Sequence, residues 1–165
     1  MILTVHRLDE GVRPTLLAHF FALSMNDRAL RFGRPLANAV IAAYVDGIDF
    51  VRDAVFGIRD DRNELVGIAH MAFEGDSAEI GLSVLSDHRR HGLARALLER
   101  AAAYARCRAI RELLAHFVAR NTPVMRLVRR FGMKVVTRSG EVDARLELRA
   151  QAGSASFHNA ANDCA

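Results

Sequence analysis

The chain has 165 residues and a formal net charge of +4 at neutral pH, and 51% of its residues are hydrophobic and 25% charged. A chain of this length and composition forms one globular domain, which excludes collagen-like, low-complexity and disordered classes. No apolar run approaches the roughly 18–20 residues that a membrane-spanning helix needs. Nearly all of the basic residues are arginines, because Lys134 is the only lysine. The basic excess favours anionic ligands, and phosphate cofactors, nucleic acids and acidic protein surfaces all stay open.

The two ends of the chain indicate a cytoplasmic protein with a single domain. Residues 1–7 alternate like a strand and lack the basic start and long apolar run of a signal peptide. Cys107 and Cys164 form no C-x-x-C pair, so we expect two free thiols in a reducing compartment. Residues 150–165 are small, polar and aperiodic, which predicts a flexible tail after a domain at 1–149.

Hydrophobic periodicity predicts the secondary-structure elements in chain order. Strands are expected at 2–8, 50–58, 64–73, 77–85, 110–118, 134–138 and 142–148, and helices at 12–23, 35–45, 91–108 and 122–131. Residue types mark the ends of the last helix, since Asn121 suits an N-cap, Pro123 a first turn and Gly132 a helix stop. The order indicates an α/β (α+β) protein, with a mixed sheet that has helices on both faces.

The turn between the strand at 77–85 and the helix at 91–108 has the character of an anion-binding site. The first amides of a helix lack internal partners and carry the positive end of the helix dipole, so they bind pyrophosphate readily. Gly92 lets a ligand approach the backbone, and Arg89, Arg90 and Arg95 add charge that suits phosphate. A solvated basic turn would contain the same residues. The absence of G-x-G-x-x-G disfavours a dinucleotide fold.

Three segments together resemble a known family. Residues 89–94, RRHGLA, match the signature Q/R-x-x-G-x-G/A of the GNAT superfamily of acyl-CoA-dependent N-acyltransferases. Residues 78–84 look like the fourth strand of that family, and residues 121–133 resemble its N-x-x-x-x-x-L-x-x-x-x-G-F element. The resemblance covers roughly residues 2–148. Ser24 and Arg31-Phe32 also look like the GNAT domain of bacterial Pat-type protein lysine acetyltransferases.

The resemblance implies a GNAT fold, with a mostly antiparallel sheet of about seven strands that splays between strands 4 and 5. Acetyl-CoA, or another acyl-CoA, would lie between the diverging strands at 77–85 and 110–118. The pyrophosphate would bind backbone amides at 90–95, and the pantetheine arm would pair with backbone at 82–84 and face Asn121, which is otherwise a plain helix cap. The implied cofactor-binding residues are Leu82, Ser83, Val84, Arg89, Arg90, His91, Gly92, Leu93, Ala94, Arg95 and Asn121.

Acyl transfer to an amine needs a group that accepts a proton, because a lysine amine has a pKa of about 10.4. Strand alternation places Glu79 on one face together with Gly81, on a strand that we expect to be buried. Burial would raise the pKa of Glu79 and suit a general base, as on the corresponding strand of family members. A structural ion pair with an arginine is the alternative role, and Glu74 and Asp76 are fallback bases.

Other chemistry is less well supported by the sequence. Many GNAT enzymes carry a tyrosine acid in the helix at 122–131, but residues 128–131 contain none, and Tyr104 fits the apolar stripe of its helix. The remaining tyrosine is Tyr44. His88 and His91 are three positions apart without a Cys or carboxylate set, so we expect no metal site.

The leading hypothesis is direct transfer of an acetyl group from acetyl-CoA to a primary amine, either a protein lysine or a small molecule. Residues 24–50 would cover the acceptor side. The alternative is a non-catalytic acyl-CoA-binding sensor or regulatory module, which the missing tyrosine favours. Nucleic-acid binding through the basic helix at 91–111 ranks last, because aromatic residues are not interleaved with its charges. We expect no membrane partner, and a homodimer stays open.

Overall fold

The computed structural model describes residues 3–149 and Cys164. Seven strands form one sheet in the order β1-β2-β3-β4-β5-β7-β6. They are β1 (His6–Leu8), β2 (Ala54–Arg59), β3 (Leu65–Glu74), β4 (Ser77–Val84), β5 (Glu112–Val118), β6 (Lys134–Arg138) and β7 (Glu141–Glu147). Neighbouring strands are antiparallel except for β4 and β5, which run parallel. The mixed sheet that the sequence predicts is therefore confirmed.

Helices cover both faces of this sheet. They are α1 (Arg13–Ala22), α2 (Met25–Phe32), α3 (Asn38–Asp46), α4 (Leu93–Cys107) and α5 (Thr122–Arg130). On one face α4 buries an aliphatic stripe with Leu97 and Ala101 against Met71 and Ile80. On the other face α1 and α3 bury a second cluster against β2 and β3. Because α1 and α3 cover β2 and β3, the divergence of β4 and β5 is left for a ligand site.

Helix α2 is the element that the sequence pattern misses. Its apolar residues Met25, Ala29 and Phe32 recur at helical spacing, but eight residues are too few for that period to stand out in the sequence. Ser24 begins the helix by accepting a hydrogen bond from the amide of Asp27. Buried Arg28 anchors it, since the guanidinium donates to the carbonyls of Leu23 at 3.2 Å and Leu36 at 2.9 Å. Tertiary contacts such as those of Arg28 stabilise this short helix, and the sequence pattern does not show them.

The structure also bears on the expectations for the two cysteines, a membrane-spanning helix and the C-terminal tail. The Cα atoms of Cys107 and Cys164 lie 5.7 Å apart, and the two residues are paired as a disulfide, so the expectation of free thiols is wrong. No helix within the described residues is both long and apolar enough to cross a bilayer. The tail predicted at 150–165 lies outside the described residues, apart from Cys164.

Candidate active site

The parallel strands β4 and β5 separate part of the way along their length. Their pairing starts at Ser77 with Glu112 and ends at Glu79 with Leu114. Beyond that point β4 continues to Val84 and β5 to Val118, without a mutual register. The two facing edges therefore diverge as a wedge, which confirms the expected splay. Backbone groups along these edges are available to a ligand that enters the wedge.

The start of α4 lies next to the end of β4. Gly92 has a φ of +82°, in the left-handed region that glycine adopts without strain, and Leu93 begins the helix. No side chain caps this end, so the first amides keep their donors for another partner. Leu93 is itself buried in the core and offers only its backbone, whereas Arg90 and His91 are exposed. This local structure suits a bound anion, as the sequence predicts.

Two of the arginines that the sequence places around the start of α4, Arg89 and Arg95, already have partners within the protein. Arg89 donates from Nε to the carbonyl of Val84 at 3.1 Å and from its terminal nitrogen to Asp27 at 2.8 Å. Arg95 pairs with Glu99 at 2.8 Å on the exposed side of α4. Because the guanidinium of Arg89 already has two partners, its first role in this structure is to tie the turn to α2.

Helix α2 contacts the loops at the ends of both diverging strands. At the turn after β4 it supplies Asp27 to Arg89, and at the turn after β5 it supplies Asn26, whose oxygen accepts from Arg120 at 3.0 Å. These two contacts join the ends of the wedge through one short helix. We expect residues 24–50 on the acceptor side of the site. Within that segment, α2 is the helix that contacts both loops.

The side chain of Ser83 stabilises the fold through a hydrogen bond with His19. Ser83 is buried, and its hydroxyl lies 2.8 Å from Nε2 of His19. The other ring nitrogen, Nδ1, lies 2.8 Å from the carbonyl of Leu65, which can only accept. His19 is therefore the Nδ1–H tautomer, and burial lowers its pKa to about 4. Ser83 then donates to Nε2, which leaves only its backbone for a cofactor, together with half-buried Leu82 and Val84.

Asn121 is buried at the start of α5 and acts as its cap. Its side-chain oxygen accepts from the amide of Val124 at 3.4 Å. This contact supports the helix-cap role that the sequence offered beside the cofactor role.

A cavity of about 490 Å³ opens on the α2 and α3 side of the wedge. Its polar lining comes from Arg31, Tyr44, His70, Glu79, His116 and Glu141. Glu79 is exposed, so the expectation that this carboxylate is buried is wrong. Its carboxylate still lines the cavity beside the point where β4 and β5 separate. The fallback residues Glu74 and Asp76 lie at the β3–β4 turn, outside the lining of this cavity.

The cavity contains a chain of hydrogen bonds that sequence reasoning missed. Arg31 donates to the hydroxyl of Tyr44 at 3.1 Å, and that hydroxyl lies 2.6 Å from Nδ1 of His70. Nε2 of His70 lies 2.8 Å from a carboxylate oxygen of Asp53. Burial lowers the pKa of His70, although Asp53 acts in the opposite direction. The strand register of the β3–β4 hairpin would have indicated His70 as a site residue. His70 lies opposite Gly81, which shares a face of β4 with Glu79.

No group of three or more His, Cys, Asp or Glu side chains suited to a metal ion occurs among the described residues. His88 lies 3.7 Å from Asp60, while exposed His91 lines a second cavity beside β1. His91 therefore borders the second cavity, next to the start of α4.

The sequence profile of the family described as Acetyltransferase (GNAT) family matches residues 23–133. No curated protein sequence matches significantly.

Solved structures of this family have the same fold. The GNAT domain of S. lividans PAT is 22% identical, with a TM-score of 0.77 over 88% of this chain and 90% of that one. Spermidine N-acetyltransferase from Vibrio cholerae, in complex with CoA and spermine, is 19% identical, with a TM-score of 0.71 over 90% and 96%. The YncA protein of Salmonella typhimurium, with its cofactor acetyl-CoA, is 17% identical, with a TM-score of 0.68 over 94% and 99%. With the splayed sheet and the matching profile, the chain belongs to the Acetyltransferase (GNAT) family.

Proposed function

We propose that this protein transfers an acetyl group from acetyl-CoA to a primary amine by direct attack in a ternary complex. One observation carries the proposal: the wedge between β4 and β5 joins an uncapped helix start to a cavity lined by the carboxylate of Glu79. The first feature suits a diphosphate, and the second suits a cationic amine. Family membership supports acetyl transfer in general.

Acetyl-CoA occupies the wedge in this proposal. Its pyrophosphate binds the amides at 90–95, where Gly92 keeps the backbone accessible and Arg90 is exposed. The pantetheine arm follows the backbone of β4 at 82–84, and Asn121 borders it from the start of α5. The bound acetyl-CoA and CoA of the Salmonella and Vibrio structures are consistent with this use of the fold.

Glu79 is the proposed base for the first proton. Its exposed carboxylate can hold an ammonium group, or a water molecule that takes a proton from it, at the cavity end of the wedge. Backbone amides beside the splay polarise the thioester carbonyl while the neutral amine attacks it. CoA leaves as a thiolate, which is a fair leaving group.

The acceptor is a primary amine of a protein lysine or of a small molecule. Carboxylates of Glu79 and Glu141 at the cavity favour a cation there. Among the neighbours, one is a spermidine N-acetyltransferase. A cytoplasmic location is a further prediction from the sequence, which leaves a homodimer open.

The test is release of CoA thiol from acetyl-CoA with a panel of lysine peptides and polyamines. We expect Glu79→Gln to lower kcat by about 100-fold while the Kd for acetyl-CoA stays unchanged. Glu74→Gln removes an exposed carboxylate outside the cavity lining and is the matched control. Equal turnover of the two variants would remove Glu79 from the mechanism. Tight acetyl-CoA binding without thiol release for any amine would favour the sensor or regulatory module instead.

A further inference from the structure

When His70 is neutral, as its lowered pKa favours, the hydrogen-bond chain at the cavity has one consistent arrangement of protons. Arg31 at one end can only donate, and the ionised carboxylate of Asp53 at the other end can only accept. The hydroxyl of Tyr44 therefore accepts from Arg31 and donates to Nδ1 of His70, while Nε2–H of His70 donates to Asp53. His70 is neutral in this arrangement, and one lone pair of Tyr44 remains for a ligand in the cavity.

The hydrogen-bond chain lies at the face of β4 that carries the proposed base, Glu79. His70 on β3 pairs across the sheet with Gly81, and the next residue on the same face of β4 is Glu79. Arg31 lies so close over Gly81 that a Cβ atom there would overlap its guanidinium. The ring of Tyr44 packs edge-on against Phe20 and Phe32, which fixes the direction of its hydroxyl.

We propose that Tyr44 and His70, oriented by Asp53 and Arg31, form a proton relay that serves the acetyl-transfer reaction and replaces the tyrosine missing from α5. Tyr44 is the catalytic residue, because its hydroxyl lines the cavity and would touch the reacting atoms. His70 and Asp53 act through it as positioning residues. The inference rests on the proposed function.

The proton balance of the reaction leaves a place for this relay. An ammonium group loses two protons on the way to an amide, and the departing thiolate gains one. Glu79 takes the first proton before attack. When the nitrogen bonds to the thioester carbon, its second proton passes to the oxygen of Tyr44 as the tyrosine proton moves to Nδ1 of His70.

The return transfer completes the cycle. Imidazolium is a donor at both nitrogens, so Nδ1–H of His70 now donates to Tyr44, and the hydroxyl proton of Tyr44 points into the cavity. As the C–S bond breaks, that proton passes to the thiolate and His70 gives its proton back to Tyr44. Amide and CoA thiol are formed, and both side chains regain their starting states.

The charges around His70 set the pH at which this relay works. Burial and the guanidinium of Arg31 lower the pKa of His70, whereas Asp53 and Glu79 raise it, and the lowering dominates. His70 accepts a proton only when it is neutral. Turnover through the relay is therefore complete near neutral pH and is lost as the pH falls through the lowered pKa of His70.

Two tyrosine variants test the relay. Tyr44→Phe removes one hydroxyl and keeps the ring that packs against Phe20 and Phe32. Tyr104→Phe is the matched control, since Tyr104 is the only other tyrosine, is buried in α4 and accepts from Arg108 at 3.1 Å. With acetyl-CoA and the best amine among spermidine and a lysine peptide, we expect kcat of Tyr44→Phe to fall about 100-fold. The Kd for acetyl-CoA and the melting temperature stay near wild type.

Asp53→Asn tests the positioning part of the relay. Loss of the carboxylate lowers the pKa of His70 further, so the acid limb of kcat moves to lower pH. An asparagine amide can also donate to Nε2, which would populate the Nδ1–H tautomer that cannot accept from Tyr44. Nitrogen-15 NMR of the histidines reports this tautomer without any substrate, and we expect Nε2–H at His70 in the wild type.

The outcomes separate the relay from the function on which it rests. A wild-type protein that binds acetyl-CoA but transfers no acetyl group to any amine overturns both proposals. A wild type that acetylates an amine, with Tyr44→Phe as active as Tyr104→Phe, overturns the relay and leaves the acetyltransferase intact. An Nδ1–H tautomer at His70 in the wild type also contradicts the relay.

Discussion

Protonation of His19 is expected to set the stability of this protein at mildly acidic pH. His19 is 2% exposed, so burial disfavours the charged imidazolium in the folded state. Its pKa is about 4 in the folded chain and 6.5 when unfolded. Below the unfolded value the unfolded chain binds more protons, so stability falls as the pH drops from 6.5 towards 4.

The magnitude follows from this difference in pKa. At about 1.36 kcal/mol per unit, the full loss of unfolding free energy is roughly 3 kcal/mol, and about 2 kcal/mol of it falls between pH 7 and pH 5. Urea denaturation at these two pH values, on the wild type and His19→Gln, measures it. The variant can keep both hydrogen bonds but does not titrate, so its pH difference should be about 2 kcal/mol smaller. His6→Gln, at an exposed position, is the control. Equal pH differences for wild type and His19→Gln would refute the reasoning.

Three further substitutions probe the wedge and the cavity. Gly81→Ala places a Cβ atom on the guanidinium of Arg31, and we expect about tenfold lower kcat with little change in melting temperature, because a flexible side-chain end can move. Gly92→Ala strains a left-handed residue by about 1–2 kcal/mol, and relief of that strain in the free protein would turn the first amides of α4 away from the ligand, so calorimetry should give a Kd for CoA that is roughly tenfold weaker. Asp27→Asn removes the carboxylate partner of Arg89, and the Kd for CoA should tighten at low salt and return to wild type at high salt.

The sheet could be predicted because each strand carries its own local signal. β3 and β4 are long runs bounded by polar turns, and the strong stripe of α4 with Leu97 and Ala101 fixes the face that it buries. The parallel pairing of β4 and β5 follows from the helix α4 that connects them, because parallel strands need a crossover connection. Motif spacing then located Gly92 and the helix start, which the structure places where an anion could bind.

The cavity could not be predicted to the same extent because distant segments build it. Tyr44 comes from α3, Asp53 from the turn before β2 and His70 from β3, and only the folded chain brings them within hydrogen-bond distance. Glu79 was identified by strand alternation, which gives the face but not the exposure. The exposure of Glu79 is set by how remote segments pack around β4, which the pattern of one strand does not contain.

By the same alternation Ser83 shares a face of β4 with Glu79 and Gly81, but the strand pattern does not show which residue its side chain contacts. The partner is His19, which lies 64 positions earlier in α1. For the same reason the arginines of the turn looked free to bind phosphate, whereas Arg89 is held by Asp27 of the unpredicted helix. Side chains whose partners are remote in sequence are where local pattern gives the least information.

The binding of CoA in the wedge is tested most directly by amide NMR during a titration with CoA. The account predicts that the largest shifts occur together at 82–84 on β4 and at 90–95 at the start of α4. Shifts at Ile58, Arg59, Asp60 and Asp61, which line the second cavity, without shifts at 82–84 would contradict it.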